Sequence, residues 1–354
     1  MKFVIIENDG IGHEIMAATV PVLERLNQAM GLGIEYQHCI GGLKGWQEKG
    51  MTVPEETRVA CDAADGVIVG PVGTYEYPPE AKDQINPNKY MRTHFDLFAN
   101  VRPAKTRAGV PSVIKQMDLV IVRENREGFY ADRNMYMGSG EFMPTEDCAL
   151  SVRKITRQGS ERIARYAFDM AKDRRKKVTM VHKANVLKLT DGLFRDTVTA
   201  VSKDYPGIEL EELIIDAATA HVVRRPQDFD VIVTTNAFGD ILSDLCSELS
   251  GSLGLAGSIN VGPKQIMAQA QHGSAPDIAG QGKANPTALI LSVGMLLEEL
   301  GRRTSRNDLA QAAGKIYAAV DTALAEPKNH TGDLGGKNTT SGFGGAVTDA
   351  LDLD

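Results

Sequence analysis

The chain has 354 residues, 42% of them hydrophobic and 24% charged, with a formal net charge of −7. That length accommodates two domains with separate cores, and the composition is that of an ordinary soluble globular protein. An acidic balance without clustered Lys and Arg excludes a nucleic-acid surface, and no apolar run reaches bilayer-crossing length, so neither nucleic acid nor membrane is an expected partner.

Residues 3–7 read as a buried first strand, too short and too soon interrupted by acid to be a signal peptide. The glycines of Asn8-Asp9-Gly10-Ile11-Gly12 follow, and residues 14–30 carry helical periodicity. This succession invites a dinucleotide fingerprint, but the third glycine and a later acidic strand end are missing. The glycines are therefore read as a tight turn near a ligand. Apolar bursts at 66–69, 97–101, 119–122, 178–182, 213–215 and 231–234 predict further strands. Helical patterns occupy 160–172, 186–203, 240–250, 287–300 and 308–325. Such alternation predicts an α/β fold with much parallel sheet. Residues 132–145, with Gly138, Gly140 and Pro144, form an excursion, and 150–155 then alternates like an exposed strand. It reads equally as an inter-subunit clasp or a plain surface hairpin. The basic run 172–177 is a solvated helix end. Cys39, Cys61, Cys148 and Cys246 lack CxxC spacing, which suggests neither zinc site nor disulfide framework and points to a reducing cytoplasm.

Behind the strand 231–234, Asp240 and Asp244 stand four residues apart. On a helix their β-carbons lie roughly 5–6 Å apart, so the two carboxylates need a positive partner. Mg²⁺ or Mn²⁺ is the usual one; the alternative is that Asp240 merely caps a helix. Arg92 and Arg102 flank 96–101, and Arg123 ends 118–122. Arg102 and Arg123 stand at the carboxyl ends of predicted strands, where open α/β sheets bind ligands, and guanidinium forks suit a ligand with several carboxylates. Tyr130 follows the same strand exit as Arg123, and Lys183 ends 178–182, where it reads as an anion contact or a base.

Six segments in order carry a resemblance through nearly the whole chain: 9–12, 96–103, 122–125, 182–185, 236–244 and 272–280. They resemble the metal-dependent β-decarboxylating dehydrogenases, the isocitrate/isopropylmalate dehydrogenase family, with motifs most similar to NAD-dependent isocitrate and homoisocitrate enzymes. The resemblance implies an α/β, two-domain, non-Rossmann fold with an inter-subunit arm. Residues 1–99 plus 252–354 would form the large cofactor-binding domain, and 100–251 the small domain with dimer interface and arm. It further implies a homodimer with shared active sites. Asp216, Asp240 and Asp244 would hold Mg²⁺ or Mn²⁺, with Asp216 and Lys183 coming from the partner. Tyr130 and Lys183 would be acid and base, and Arg92, Arg102 and Arg123 would grip a di- or tricarboxylate. The loop 272–286 would bind NAD through His272, Gly273, Ser274, Ala275, Asp277, Ile278 and Asn285, with Asp277 accepting from the adenosine ribose where NADP-type relatives carry lysine.

Asn88 occupies a position where isocitrate enzymes also have asparagine and isopropylmalate enzymes place leucines. With Asn86 and Lys89 nearby, it favours a polar 3-substituent on the malate. The expected reaction is oxidative decarboxylation of a 3-substituted D-malate, isocitrate or a close homologue first. 3-Isopropylmalate, tartrate or D-malate are alternatives, and a non-catalytic regulatory subunit is a remote one. The chain departs from the family pattern at Glu7, Asn8 and His13, which replace Pro, Gly and Pro, and at Gln269, which replaces a glutamate.

Overall fold

In the computed structural model, which describes residues 1–81 and 85–353, the apolar bursts form buried strands and the longer periodic segments form helices. In chain order the strands are β1 (Lys2–Ile6), β2 (Glu35–Cys39), β3 (Gly66–Val69), β4 (Ala99–Lys105), β5 (Asp118–Glu124) and β6 (Glu141–Thr145). They continue with β7 (Cys148–Ser151), β8 (Lys177–His182), β9 (Glu209–Ile214), β10 (Val231–Thr234), β11 (Ile259–Val261) and β12 (Ile266–Gln269). Two compact units divide the chain: Met1–Phe95 with Arg107–Val113 and Gly251–Asp354, and Asp96–Thr106 with Ile114–Ser250.

In the first unit the strand order is β2-β1-β3-β12-β11, parallel except for β11 against β12. Both faces of β3 are buried, which is why Gly66-Val67-Ile68-Val69 shows an apolar run and no alternation. In the second unit the order is β4-β5-β10-β8-β9, with β4 antiparallel to β5 and the rest parallel. The register pairs Arg123 with Thr234, Thr234 with Val181, and His182 with Ile214, so four carboxyl ends lie level. Beneath them Leu119, Ile121, Val181, Ile232, Leu242, Cys246 and Leu249 form one core cluster. Leu242, Cys246 and Leu249 repeat at helical spacing along the helix Asn236–Ser250, which presents that stripe to the sheet.

β6 and β7 form a separate antiparallel hairpin. Its apolar side chains face outward: Met143 is 64% exposed and Phe142 and Leu150 nearly half, with Tyr136 and Met137 more exposed still. Among the described residues no helix is long and apolar enough to cross a membrane.

Candidate active site

The helix Asn236–Ser250 starts one turn earlier than the sequence pattern predicts. Asp240 is therefore no helix cap; it sits a full turn inside, and the capping alternative is set aside. Gly239 looks like a boundary but has another function. A Cβ there would stand 2.7 Å from Arg123 Cγ, so the glycine lets the arginine stem pass against the helix.

Arg102 also differs from expectation. It is not at a strand's carboxyl end but in the middle of β4, opposite Ile121, because β4 runs antiparallel and continues through Pro103 to Lys105. Nothing local to residues 97–103 encodes that direction. Arg102 reaches the carboxylates nonetheless. Its Nη1 donates to Asp240 Oδ1 at 3.0 Å, Asp244 Oδ1 at 3.4 Å and Ser243 Oγ at 2.8 Å, while Nε donates to Asn100 Oδ1 at 2.5 Å. Burial, and then the neighbouring Arg123 charge, lower its pKa to about 10, which leaves it protonated at neutral pH.

Arg123, at 1% exposure, lies in a polar slot. Nε and Nη2 both donate to Asn236 Oδ1, at 2.9 and 2.7 Å, and Nη1 donates to Asp240 Oδ1. Asn236 Nδ2 in turn donates to the Glu127 carbonyl at 3.0 Å. Tyr130 donates its hydroxyl proton to Asp240 Oδ2, and its ring lies between the guanidinium groups of Arg123 and Arg133, each 5.2 Å from the ring centre. Asp240 thus gathers Arg102, Arg123 and Tyr130 around one carboxylate. Asn236 and Ser243, both inside the quoted motif, are the functional contacts that sequence reasoning missed. A buried amide one turn before the acid was the available signal.

A second cluster lies at the ends of β8 and β9. Lys183 Nζ donates to Asp216 Oδ1 at 2.5 Å, and this bond, first among the causes, holds the Asp216 carboxyl below its usual range. The Lys183 backbone N–H donates to buried Asp191, which pairs with Arg153 at 2.5 Å. Among the described residues no group of three His, Cys, Asp or Glu side chains could hold a metal, so Asp216 does not complete a set with Asp240 and Asp244. Asp240 and Asp244 supply two hard oxygen donors of the kind Mg²⁺ and Mn²⁺ take.

Glu124 governs the exit from β5. Its two oxygens accept from the backbone N–H groups of Arg126 and Glu127 at 2.8 and 2.9 Å, folding the turn that leads to Tyr130. Burial, and then the charge of Glu127, raise its pKa from 4.5 to about 7. Between those values unfolding releases a proton that the folded protein retains, so this contribution to stability is full below pH 4.5 and lost as pH rises through 7. Glu124→Gln, which cannot ionise, is expected to gain about 3 kcal/mol relative to the parent across that window. Urea unfolding at several pH values reads the difference; a difference that does not change with pH refutes the assignment.

In the first unit, Asn88 and Arg92 lie on the helix Pro87–His94. Asn86 caps that helix, its Oδ1 accepting from the N–H groups of Asn88 and Lys89. Asn88 Oδ1 is buried without a partner among the described residues. The loop 272–286 leans on the N-terminal turn: Ile11 N–H donates to the Ser274 carbonyl at 2.9 Å, and any Cβ at Gly10 would overlap it. That explains the Gly10 to Gly12 turn, while Asp9 is structural, accepting from Leu43, Gly73 and Tyr77. Ala275 holds a left-handed φ of 41°, Gly273 is exposed and Ile278 is half-buried. His272 Nε2 is buried without a partner among the described residues, and burial lowers its pKa. Asp277 is exposed; its backbone carbonyl accepts from Gln281 Nε2 at 2.7 Å, while its carboxylate accepts no hydrogen bond among the described residues. Asn285 is largely used internally, donating to Asp333 and accepting twice from Thr287. An orphaned imidazole nitrogen and an open carboxylate on a glycine-rich loop fit a nucleotide.

Residues 2–347 match the family model described as isocitrate/isopropylmalate dehydrogenase. The chain belongs to the isocitrate/isopropylmalate dehydrogenase family. It is 44% identical to a 3-isopropylmalate dehydrogenase of Archaeoglobus fulgidus over 352 residues, 99% of each chain. To an isocitrate/homoisocitrate dehydrogenase of Thermus thermophilus it is 43% identical, over 99% of this chain and 98% of that one. The crystal structure of isocitrate dehydrogenase from Methylococcus capsulatus superposes with a TM-score of 0.87 at 38% identity, covering 99% of both. Membership makes the protein one of a family of dehydrogenases, hence of oxidoreductases. The family's α/β fold matches the expectation from the sequence.

Proposed function

We propose that this family member is an NAD-dependent decarboxylating dehydrogenase that uses Mg²⁺ or Mn²⁺ and acts on a 3-substituted D-malate, isocitrate or a close homologue first. The observation that carries the reading is the convergence of Arg102, Arg123 and Tyr130 on Asp240, beside Asp244. Two buried guanidinium groups and two carboxylates at one point suit a ligand that brings both a cation and several negative oxygens.

Asp240 and Asp244 would hold the cation, with Asp216 of a second copy completing the set. When bound, the cation supplies Lewis-acid polarisation of the 2-hydroxyl and of the oxo group it becomes, and NAD supplies the hydride acceptor. Lys183 takes the hydroxyl proton, Tyr130 returns a proton to C3 after CO₂ leaves, and Arg92, Arg102 and Arg123 hold the substrate carboxylates in line. Asp277 accepts from the adenosine ribose, which favours NAD over a 2′-phosphorylated cofactor. The exposed apolar side chains of the hairpin, with Val186, Leu189 and Ile241 in the same unit, support a homodimer whose partners share sites.

Substrate choice rests on Asn88. An amide oxygen without a partner among the described residues is costly to bury against an alkyl chain, which favours a polar 3-substituent over isopropyl. Purified protein with Mn²⁺ is expected to reduce NAD faster with isocitrate or homoisocitrate than with 3-isopropylmalate or D-malate, and to prefer NAD to NADP. A faster rate with 3-isopropylmalate or D-malate overturns the specificity, and no turnover of any of them overturns the enzyme.

A further inference from the structure

A cavity of about 130 Å³ opens in the first unit where β1 and β2 end. Glu7, Asn8 and His13 line it from the β1 exit, and His38, Cys39 and Lys44 from the β2 exit. It shares no residue with the loop 272–286, and three of its walls are the positions where the chain departs from its family's pattern.

Asn8 is the telling residue. It holds a left-handed φ of 54°, a conformation that favours glycine and that asparagine tolerates at some strain. At 3% exposure it is almost wholly buried. Its Nδ2 donates to the Gly70 carbonyl at 2.9 Å, but Oδ1 has no partner among the described residues. That oxygen lies 2.7 Å from where a Cβ on Gly41 would stand, so the glycine keeps its approach clear. A buried acceptor left open in this way calls for a donor from outside the protein.

The remaining lining holds the cation Lys44 beside the imidazoles of His13 and His38. The Glu7 carboxylate is already engaged, its Oε2 2.6 Å from His13 Nδ1. Lys44 forms no ion pair among the described residues, and His38 adds a second imidazole. The volume matches roughly four waters, or one molecule of a few heavy atoms.

We propose that this cavity binds a compact oxyanion carrying a protonated oxygen, the chemistry shared by hydrogen phosphate and a small hydroxycarboxylate. Its negative oxygens face Lys44 and the imidazoles of His13 and His38, and its protonated oxygen donates to Asn8 Oδ1.

Isothermal titration of the full-length protein with inorganic phosphate, and separately with glycolate, tests this. At least one probe is expected to bind saturably at one site per chain, and which one does identifies the source. Lys44→Gln and Asn8→Gly are each expected to weaken that binding by about tenfold or more. Asn8→Gly relaxes the left-handed backbone, so it should fold at least as well as the parent. Arg123→Lys should leave the affinity unchanged, which separates this cavity from the carboxylate-binding arginines. Failure of both probes to bind in the millimolar range overturns the proposal. Binding that survives both cavity variants, or that is lost only with Arg123→Lys, overturns it as well.

Discussion

On the proposed function Asp240→Asn is expected to lower kcat/KM on the order of 10³-fold, about 4 kcal/mol of barrier, and Asp244→Asn comparably, because each would remove one of the two anionic donors offered to the cation. The two variants should part company in stability. Asp240 accepts from Arg102 and Arg123, both buried, so a neutral amide there leaves two enclosed cations short of their counter-ion. Breaking a buried pair costs about 3–5 kcal/mol; the lower end applies here because Arg123 keeps Asn236 and Arg102 keeps Asp244. Asp244 is half-exposed and meets Arg102 only at 3.4 Å, so its loss should cost about 1 kcal/mol or less. Urea unfolding of the metal-free proteins, beside Mn²⁺-dependent kinetics, reads both effects. Equal stability of the two variants contradicts the counter-ion role, and undiminished turnover in either contradicts the metal role.

Lys183→Met is expected to lower kcat by about 10²–10⁴-fold, the usual contribution of a positioned base. The sharper experiment mixes it with Asp240→Asn. Refolded together, two nearly inactive proteins should regain about a quarter of parental activity if the proposed homodimer shares its sites, since half the dimers would be mixed and one of their two sites would draw intact groups from both chains. No recovery would mean that Lys183 serves the Asp240 of its own chain, and the shared-site reading would fall. Among the described residues Asp216, which Lys183 holds, does not complete a set with Asp240 and Asp244 within one chain, and this motivates the expectation.

The fold was readable where burial wrote a strong pattern. β3 and β10 were predicted to the residue because they are buried on both faces and read as unbroken apolar runs. β2 was missed because Glu35-Tyr36-Gln37-His38-Cys39 is half-exposed and mostly polar, with nothing in its own composition to mark a strand. β11 is only three residues, and β12, Ile266-Met267-Ala268-Gln269, is as short and as buried as β3 but has one β-branched residue to mark it as strand. In the site, residue types chosen for charge were legible, since Arg123, Asp240 and Tyr130 do meet. What one-dimensional reading could not give is geometry set by contacts distant in sequence. Gly239 resembled a helix boundary because its reason for being glycine is a side chain 116 positions away in the chain, the stem of Arg123. The capping bonds of Asn86 Oδ1 are likewise invisible until the helix exists.

The arrangement around Asp240 bears on the order in which ligands arrive. Asp240, which would meet a cation, and Arg102 and Arg123, which would meet substrate carboxylates, pair with one another. On the proposed function each ligand therefore takes a protein group from its partner. A metal ion that takes Asp240 releases Arg102 and Arg123 to receive carboxylates, and a substrate that takes the arginines releases Asp240 to receive metal. On the proposed function the two ligands therefore bind synergistically, each raising the affinity of the other by the same factor.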